Sequence, residues 1–221
     1  MNDDPVLEWR AAPAEVSLRG DEVHLWRASL EPKPELSRWL AEDEWARASR
    51  FHFERDRQRF IAARGVVRAT LSRYVSVPPD QLRFSIGSAG KPELQGAGAE
   101  FRFNISHSSE LLLIAVTRDY EVGVDLEWMR EDVPFEVLAE RHFEPAESAR
   151  IRSLPAPCRA PAFYEVWTRT EAQLKASGLG LSAGTSVVQP DRWSVRSFTP
   201  APGYAAAIAV GASTWQLVCW S

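Results

Sequence analysis

One order of elements occurs twice along this chain, and that repetition constrains its fold more than any single motif. A strand, a long helix and then several strands are read before Asp119, and a similar series after it. In the first pass Val23, Leu25 and Trp26 form a strand, followed by a helix near Pro34 to Arg50 and a longer one from about Arg55 to Val75. In the longer helix Phe60, Arg64, Val67, Leu71 and Tyr74 recur at three- and four-residue spacings, which makes one face largely apolar. Pro78 and Pro79 end it. Strands follow at Leu82 to Ile86, Phe101 to Ile105 and Leu111 to Thr117, with a turn at Gly87 to Pro92. In the second pass a strand at Val122 to Trp128 and an acidic irregular stretch precede a helix from Ala160 to Ser177, which Gly178 and Gly180 stop. Strands near Thr185 to Val188, Trp193 to Phe198, Ala205 to Val210 and Trp215 to Trp220 complete the series. Setting Phe60 against Phe163 brings Arg68 opposite Glu171 and Ser72 opposite Lys175. The fold class that fits is α+β, with two similar α/β halves, residues 1–118 and 119–221, packed against each other.

Composition narrows the functions open to such a fold. Hydrophobic residues make up 45% and charged residues 25% of the 221, the balance of a soluble globular chain and not of a fibre or a disordered segment. A formal charge of −4 offers no overall basic field for nucleic acid. Cys158 and Cys219 make no CxxC pair, and the four histidines show no HExxH or zinc-finger spacing, which argues against structural zinc. Met1 to Arg10 carries Asp3, Asp4 and Glu8 in place of a basic region and apolar run. The longest apolar run, Leu111 to Val116, is far short of the roughly 20 residues that cross a bilayer, so the expected location is the cytoplasm, with reduced thiols and no membrane partner. Charge is nevertheless sorted along the chain. From Arg47 to Arg73 eight arginines oppose only Glu54 and Asp56, and from Asp119 to Glu147 ten acids oppose only Arg130 and Arg141. The first region suits anions and the second a cation, unless both are solvated helix faces.

Four segments carry residue types suited to chemistry. In Gly123-Val124-Asp125-Leu126-Glu127 the strand period of two puts Asp125 and Glu127 on one face and Val124 and Leu126 on the other. Either this is an exposed strand face with ordinary acids, or a cation or base lies between the repelling carboxylates, and hard oxygen ligands favour Mg²⁺. In Trp167 to Lys175, Glu171 and Lys175 are four apart on one helix face, either an exposed ion pair or a metal ligand or proton acceptor beside a phosphate-neutralising cation. Trp167, one turn earlier, is assigned to packing. Asn104-Ile105-Ser106-His107-Ser108 is read as a loop that frees hydroxyl and imidazole groups for a ligand; GxSxG is absent, so no hydrolase triad follows. Gly87 to Pro92 fails the Walker A spacing, but its glycine-rich turn presents Lys91 to an anion or is an ordinary turn.

Together these segments resemble the Sfp-type 4′-phosphopantetheinyl transferases. The resemblance rests on Arg55 to Arg68 (RDRQRFIAARGVVR), Gly90-Lys91-Pro92, Asn104 to Ser108 (NISHS), Gly123 to Glu127 (GVDLE) and Trp167 to Lys175 (WTRTEAQLK). It implies a monomer of two pseudo-symmetric halves with the active site between them. It further implies transfer of the 4′-phosphopantetheine arm of coenzyme A to a serine of a carrier protein, as in peptide synthetases or polyketide synthases, with release of adenosine 3′,5′-bisphosphate. By similarity Arg55, Lys91, Ser106 and His107 hold coenzyme A phosphates and Lys175 the pyrophosphate. Asp125, Glu127 and Glu171 hold Mg²⁺, and Glu171 activates the carrier serine, directly or through a metal-bound water. The family often has lysine directly before the helix glutamate, where this chain has Thr170. Met129, Val133 and Phe135 are open to two readings, carrier docking or core. Rival functions are a non-catalytic interaction protein, for which Thr170 is the support, and an arginine-helix nucleic-acid site, which the acidic net charge opposes.

Overall fold

In the computed structural model, which describes residues 7–87, 90–130, 132–178 and 192–221, the apolar stripe of the first long helix becomes the buried face of α3 (Glu54–Val75). Val67 and Leu71 are enclosed there, with Ala62 and Ala63 beside them. They rest on a five-stranded sheet ordered β1 (Trp9–Arg10), β10 (Gln216–Trp220), β2 (Glu22–Ser29), β6 (Leu111–Arg118), β5 (Phe101–Ser108). β6 is antiparallel to β2 and β5, whereas β10 runs parallel to β1 and β2. A small hairpin of β3 (Phe84–Ile86) and β4 (Pro92–Leu94) lies between α3 and β5 in sequence.

Strand alternation assigns each face of this sheet. Trp26, Phe103, Ile114 and Val116 face α3. Val23, Leu25, Leu113 and Ala115 face the opposite way, into a core shared with a second sheet. That sheet is antiparallel, ordered β7 (Val122–Trp128), β9 (Tyr204–Val210), β8 (Ser194–Phe198). It contributes Val122, Val124, Leu126, Ile208 and Val210 to the shared core. On its outer face lies α6 (Ala156–Ser177), where Ala172 and Ala176 meet Ala207 and Ala209. The layers run α3, first sheet, second sheet, α6. The α+β class is therefore present as two helix-on-sheet halves, each built around one 22-residue helix, although β10 of the 119–221 segment lies in the first sheet.

Several local expectations change. The helix read over Pro34 to Arg50 is two short ones, α1 (Pro34–Ser37) and α2 (Glu42–Ala48). The acidic stretch holds α4 (Phe135–His142) and α5 (Pro145–Ser153). Their Ala139 and Ile151 form a core with Phe163 of α6, against which Met129, Phe135 and Trp167 pack. Met129, Phe135 and Trp167 are each partly buried there, so all three contribute packing. α6 begins at Ala156, four residues before the expected start, because Pro157 falls in the first turn, where the backbone N–H has no intrahelical partner. Asn104 to Ser108 is not a loop but the end of β5. The strand expected at Thr185 to Val188, and Gly180, lie outside the described residues.

Candidate active site

The close approach of α6 to β7 begins with a missing side chain. A Cβ on Gly123 would lie 2.0 Å from the Ala172 carbonyl oxygen and 2.4 Å from the Ala176 nitrogen. Glycine alone lets the helix backbone settle onto the strand. Asp125 and Glu127 follow Gly123 at alternate positions on the same face, so they meet α6 where Glu171 and Lys175 project. Gly178 ends that helix in the left-handed region, φ 67°.

Lys175 Nζ donates to Asp125 Oδ1 at 2.6 Å and to Ser106 Oγ at 3.0 Å. Ser106 Oγ donates in turn to Asp125 Oδ1 at 3.0 Å, and Ser108 Oγ donates to Glu127 Oε2 at 3.1 Å. Asp125 is only 4% exposed, and its second oxygen, Oδ2, is buried with no partner among the described residues. The other two carboxylates hold their protons more tightly than usual. Glu171 is pushed up to about 7, by burial first, then by the charge of Asp125; Glu127 adds to this and Lys175 opposes it. Glu127 is raised by burial and by Asp125, against the Ser108 hydrogen bond and Lys175. Three mutually repelling carboxylates with one buried, unpaired oxygen suit a divalent cation. Among the described residues no three His, Cys, Asp or Glu side chains converge closely enough to hold a metal unaided. A Mg²⁺ ion held by these carboxylates would therefore need water and substrate phosphate to complete its shell.

The opposite face of β5 turns Ile105 and His107 toward α3. Here opens a cavity of about 760 Å³ whose wall includes Arg47, Arg59, Arg64, Phe60 and Ser108 as well as His107. Ser108 thus touches both the cavity and Glu127. His107 titrates below the ordinary imidazole range, through desolvation first and then the charges of Lys175 and Arg59. Arg59 reaches from α3 to pair with Glu110, and Arg64 pairs with buried Glu44.

The residues singled out in the sequence do not all meet here. Asp125, Glu127, Glu171, Lys175 and Ser106 form one cluster, and His107 lines the adjoining cavity. Arg55 is on the surface, its side chain 76% exposed beside Asp56. Lys91 donates to Glu121 Oε2 and to the Val122 carbonyl, both at 3.0 Å, at the start of β7. Thr170 spends its hydroxyl on the Val166 carbonyl of its own helix. Sequence reading did not single out Arg47, Arg59 or Arg64. Arg59 lies one turn beyond Arg55 in the same arginine-rich run and on nearly the same helix face, so helical phase does not separate the two.

Comparison with known proteins identifies the family. Residues 24–119 match a family described as 4′-phosphopantetheinyl transferase, N-terminal, and residues 121–216 match the 4′-phosphopantetheinyl transferase superfamily. The chain is 38% identical over 231 residues to the 4′-phosphopantetheinyl transferase HetI of Nostoc sp., covering 96% of this chain and 97% of that protein. It is 31% identical over 153 residues to the 4′-phosphopantetheinyl transferase psf-1 of Bacillus pumilus, covering 69% and 64% of the two chains. Against the L-aminoadipate-semialdehyde dehydrogenase-phosphopantetheinyl transferase of Xenopus laevis it is 31% identical over 157 residues, covering 66% and 51%. The chain belongs to the 4′-phosphopantetheinyl transferase superfamily, in its tandem two-half form. It is an enzyme that transfers 4′-phosphopantetheine to carrier proteins.

Proposed function

We propose that the chain catalyses Mg²⁺-dependent transfer of 4′-phosphopantetheine from coenzyme A to a serine of an acyl or peptidyl carrier, releasing adenosine 3′,5′-bisphosphate. The supporting observation is the meeting of Glu171 and Lys175 with Asp125 and Glu127, beside an arginine-lined cavity. The serine oxygen bonds to the phosphorus on the pantetheine side of the pyrophosphate. The bond from that phosphorus to the bridging oxygen breaks, and the serine proton passes to a carboxylate.

Asp125, Glu127 and Glu171 would hold Mg²⁺, which when bound stabilises negative charge building on the leaving phosphate. Glu171 accepts the serine proton, a role suited to a carboxyl near neutrality. Lys175 bonds the pyrophosphate once substrate competes with Asp125 for its ammonium. Arg47, Arg59 and His107 receive the remaining phosphates in the cavity, with Arg64 behind them. Arg55 and Lys91 are outer contacts for the same anion, and Ser106 sits between Lys175 and Asp125. In this proposal residues 1–118 supply phosphate contacts and 119–221 the carboxylates and α6, in one monomer.

The test is the intact mass of a purified carrier domain after incubation with this protein, coenzyme A and Mg²⁺. The expected result is one added phosphopantetheine, lost with EDTA and lost when the carrier serine is alanine. No gain across peptidyl, polyketide and fatty-acid carriers would overturn the proposal.

A further inference from the structure

β5 and β7 are edge strands of different sheets, and an edge strand presents a row of unpaired backbone groups. Here the row on β7 is satisfied without a backbone ladder. Val124 N–H donates to Asn104 Oδ1 at 2.9 Å, Leu126 N–H to Ser106 Oγ at 3.2 Å and Trp128 N–H to Ser108 Oγ at 3.0 Å. Each pair is separated by 20 residues in sequence, so the two strands run parallel and in constant register. We infer that Asn104, Ser106 and Ser108 are positioning residues that lock the register between the two sheets and aim the β7 carboxylates. This inference rests on the reading of Asp125 and Glu127 as metal ligands.

The side-chain chemistry fits position by position. A serine hydroxyl has one proton and two lone pairs. Ser106 uses all of them: it accepts from Leu126 and Lys175 and donates to Asp125. It therefore acts on the reaction by orienting Asp125 and has no bond left for phosphate. Ser108 repeats the pattern, accepting from Trp128 and donating to Glu127. Opposite Asn104 the corresponding β7 position is Gly123, which has no carboxylate to aim, and an amide oxygen suffices. A slip of one residue between the strands would turn both serines away from both acids. A backbone ladder would hold the strands but leave the carboxylates unheld. Side-chain acceptors do both, and they join the strand of one half to the metal ligands of the other.

Ser108→Ala is the informative variant, because it lies at the partly exposed end of the seam and leaves the buried Asn104 and Ser106 contacts in place. Amide hydrogen exchange on the free protein, without metal or substrate, should speed up at Trp128 by about tenfold, the effect of losing one ordinary hydrogen bond. The Mn²⁺ concentration for half-maximal binding to the free protein, and the Mg²⁺ concentration for half-maximal turnover, should both rise about tenfold, as when other outer partners of metal ligands are removed. KM for coenzyme A should stay nearly constant, and Ser108→Thr should restore both metal values. Unchanged exchange at Trp128 in Ser108→Ala overturns the seam. A raised KM for coenzyme A with unchanged metal requirement overturns the positioning role and makes Ser108 a substrate contact. Failure of the underlying reading shows separately, as wild-type protein whose turnover ignores divalent metal.

Discussion

Glu171 carries the least ordinary protonation among the side chains of the site, and its environment makes it testable alone. Glu171→Gln keeps shape and burial but cannot accept a proton, so turnover is expected to fall at least about 10²-fold with coenzyme A affinity little changed. Steady-state kinetics with a direct binding measurement decide it; near-normal turnover removes Glu171 from proton transfer. Arg55 and Arg59 offer a second comparison at this scale. Arg59→Ala should raise KM for coenzyme A about tenfold, the loss of one charge-assisted bond, and Arg55→Ala much less. Equal effects would count against the cavity as the phosphate site. His107 gives a third. It is largely neutral in the free enzyme because desolvation, Lys175 and Arg59 hold its pKa down. Arriving phosphate favours the imidazolium, so coenzyme A binding near pH 7 should take up a proton. Calorimetry in buffers of different ionisation enthalpy measures that uptake, and His107→Asn should reduce it; identical uptake in the variant would place the proton elsewhere.

At the scale of elements, the contact of α6 with β7 depends on Gly123. Gly123→Ala places a methyl group against helix backbone, which cannot rotate away as a side chain would. The helix must lift, at a cost of about 1–3 kcal/mol for an overpacked site. Turnover should fall with the melting temperature, because Glu171 and Lys175 move with the helix. Full activity at wild-type stability would show that the contact can relax. Much of this element was legible: alternation put Asp125 and Glu127 together, and four-residue spacing did the same for Glu171 and Lys175. Less legible was the end of β5, because its polar positions 104, 106 and 108 meet a polar seam, not a core, and so imitate a loop. α4 and α5 were hidden for a related reason. Their apolar residues are few, interleaved with acids, and pack on a small satellite core instead of a sheet. Arg59 was not singled out because only packing tells which arginine of a run points inward.

For the whole molecule, one buried ion cluster fixes the wall that carries the arginines. Glu44 of α2 accepts from Arg68 Nε at 2.7 Å, pairs with Arg64 and takes the Ala41 N–H at 2.9 Å. Arg68 also donates to the Pro79 and Leu82 carbonyls. Glu44→Gln leaves the Arg68 charge buried with an incomplete partner, and unfolding free energy should fall by about 3–5 kcal/mol in a denaturant titration. Burial alone would raise the Glu44 carboxyl, but Arg68, Arg64 and the Ala41 N–H outweigh it and its pKa lies below the ordinary value. Its stabilisation is thus complete above the unfolded carboxylate pKa, about 4.3, and is lost as pH falls through the lower folded value. Melting temperatures from pH 6 to 3 should drop more steeply for wild type than for Glu44→Gln; parallel curves would assign acid sensitivity to other groups.

β10 follows the whole second half in sequence, yet it lies between β1 and β2 in the sheet of the first. A ribosome must therefore synthesise past Trp220 before that sheet can close. Until then β2 waits with an open edge on the growing chain. The two similar halves do not become independent modules that mature one after the other. A nascent chain stalled after Arg118 should remain open to protease, and hybrid genes joined near residue 119 inherit a sheet in which the strand between β1 and β2 comes from the other parent.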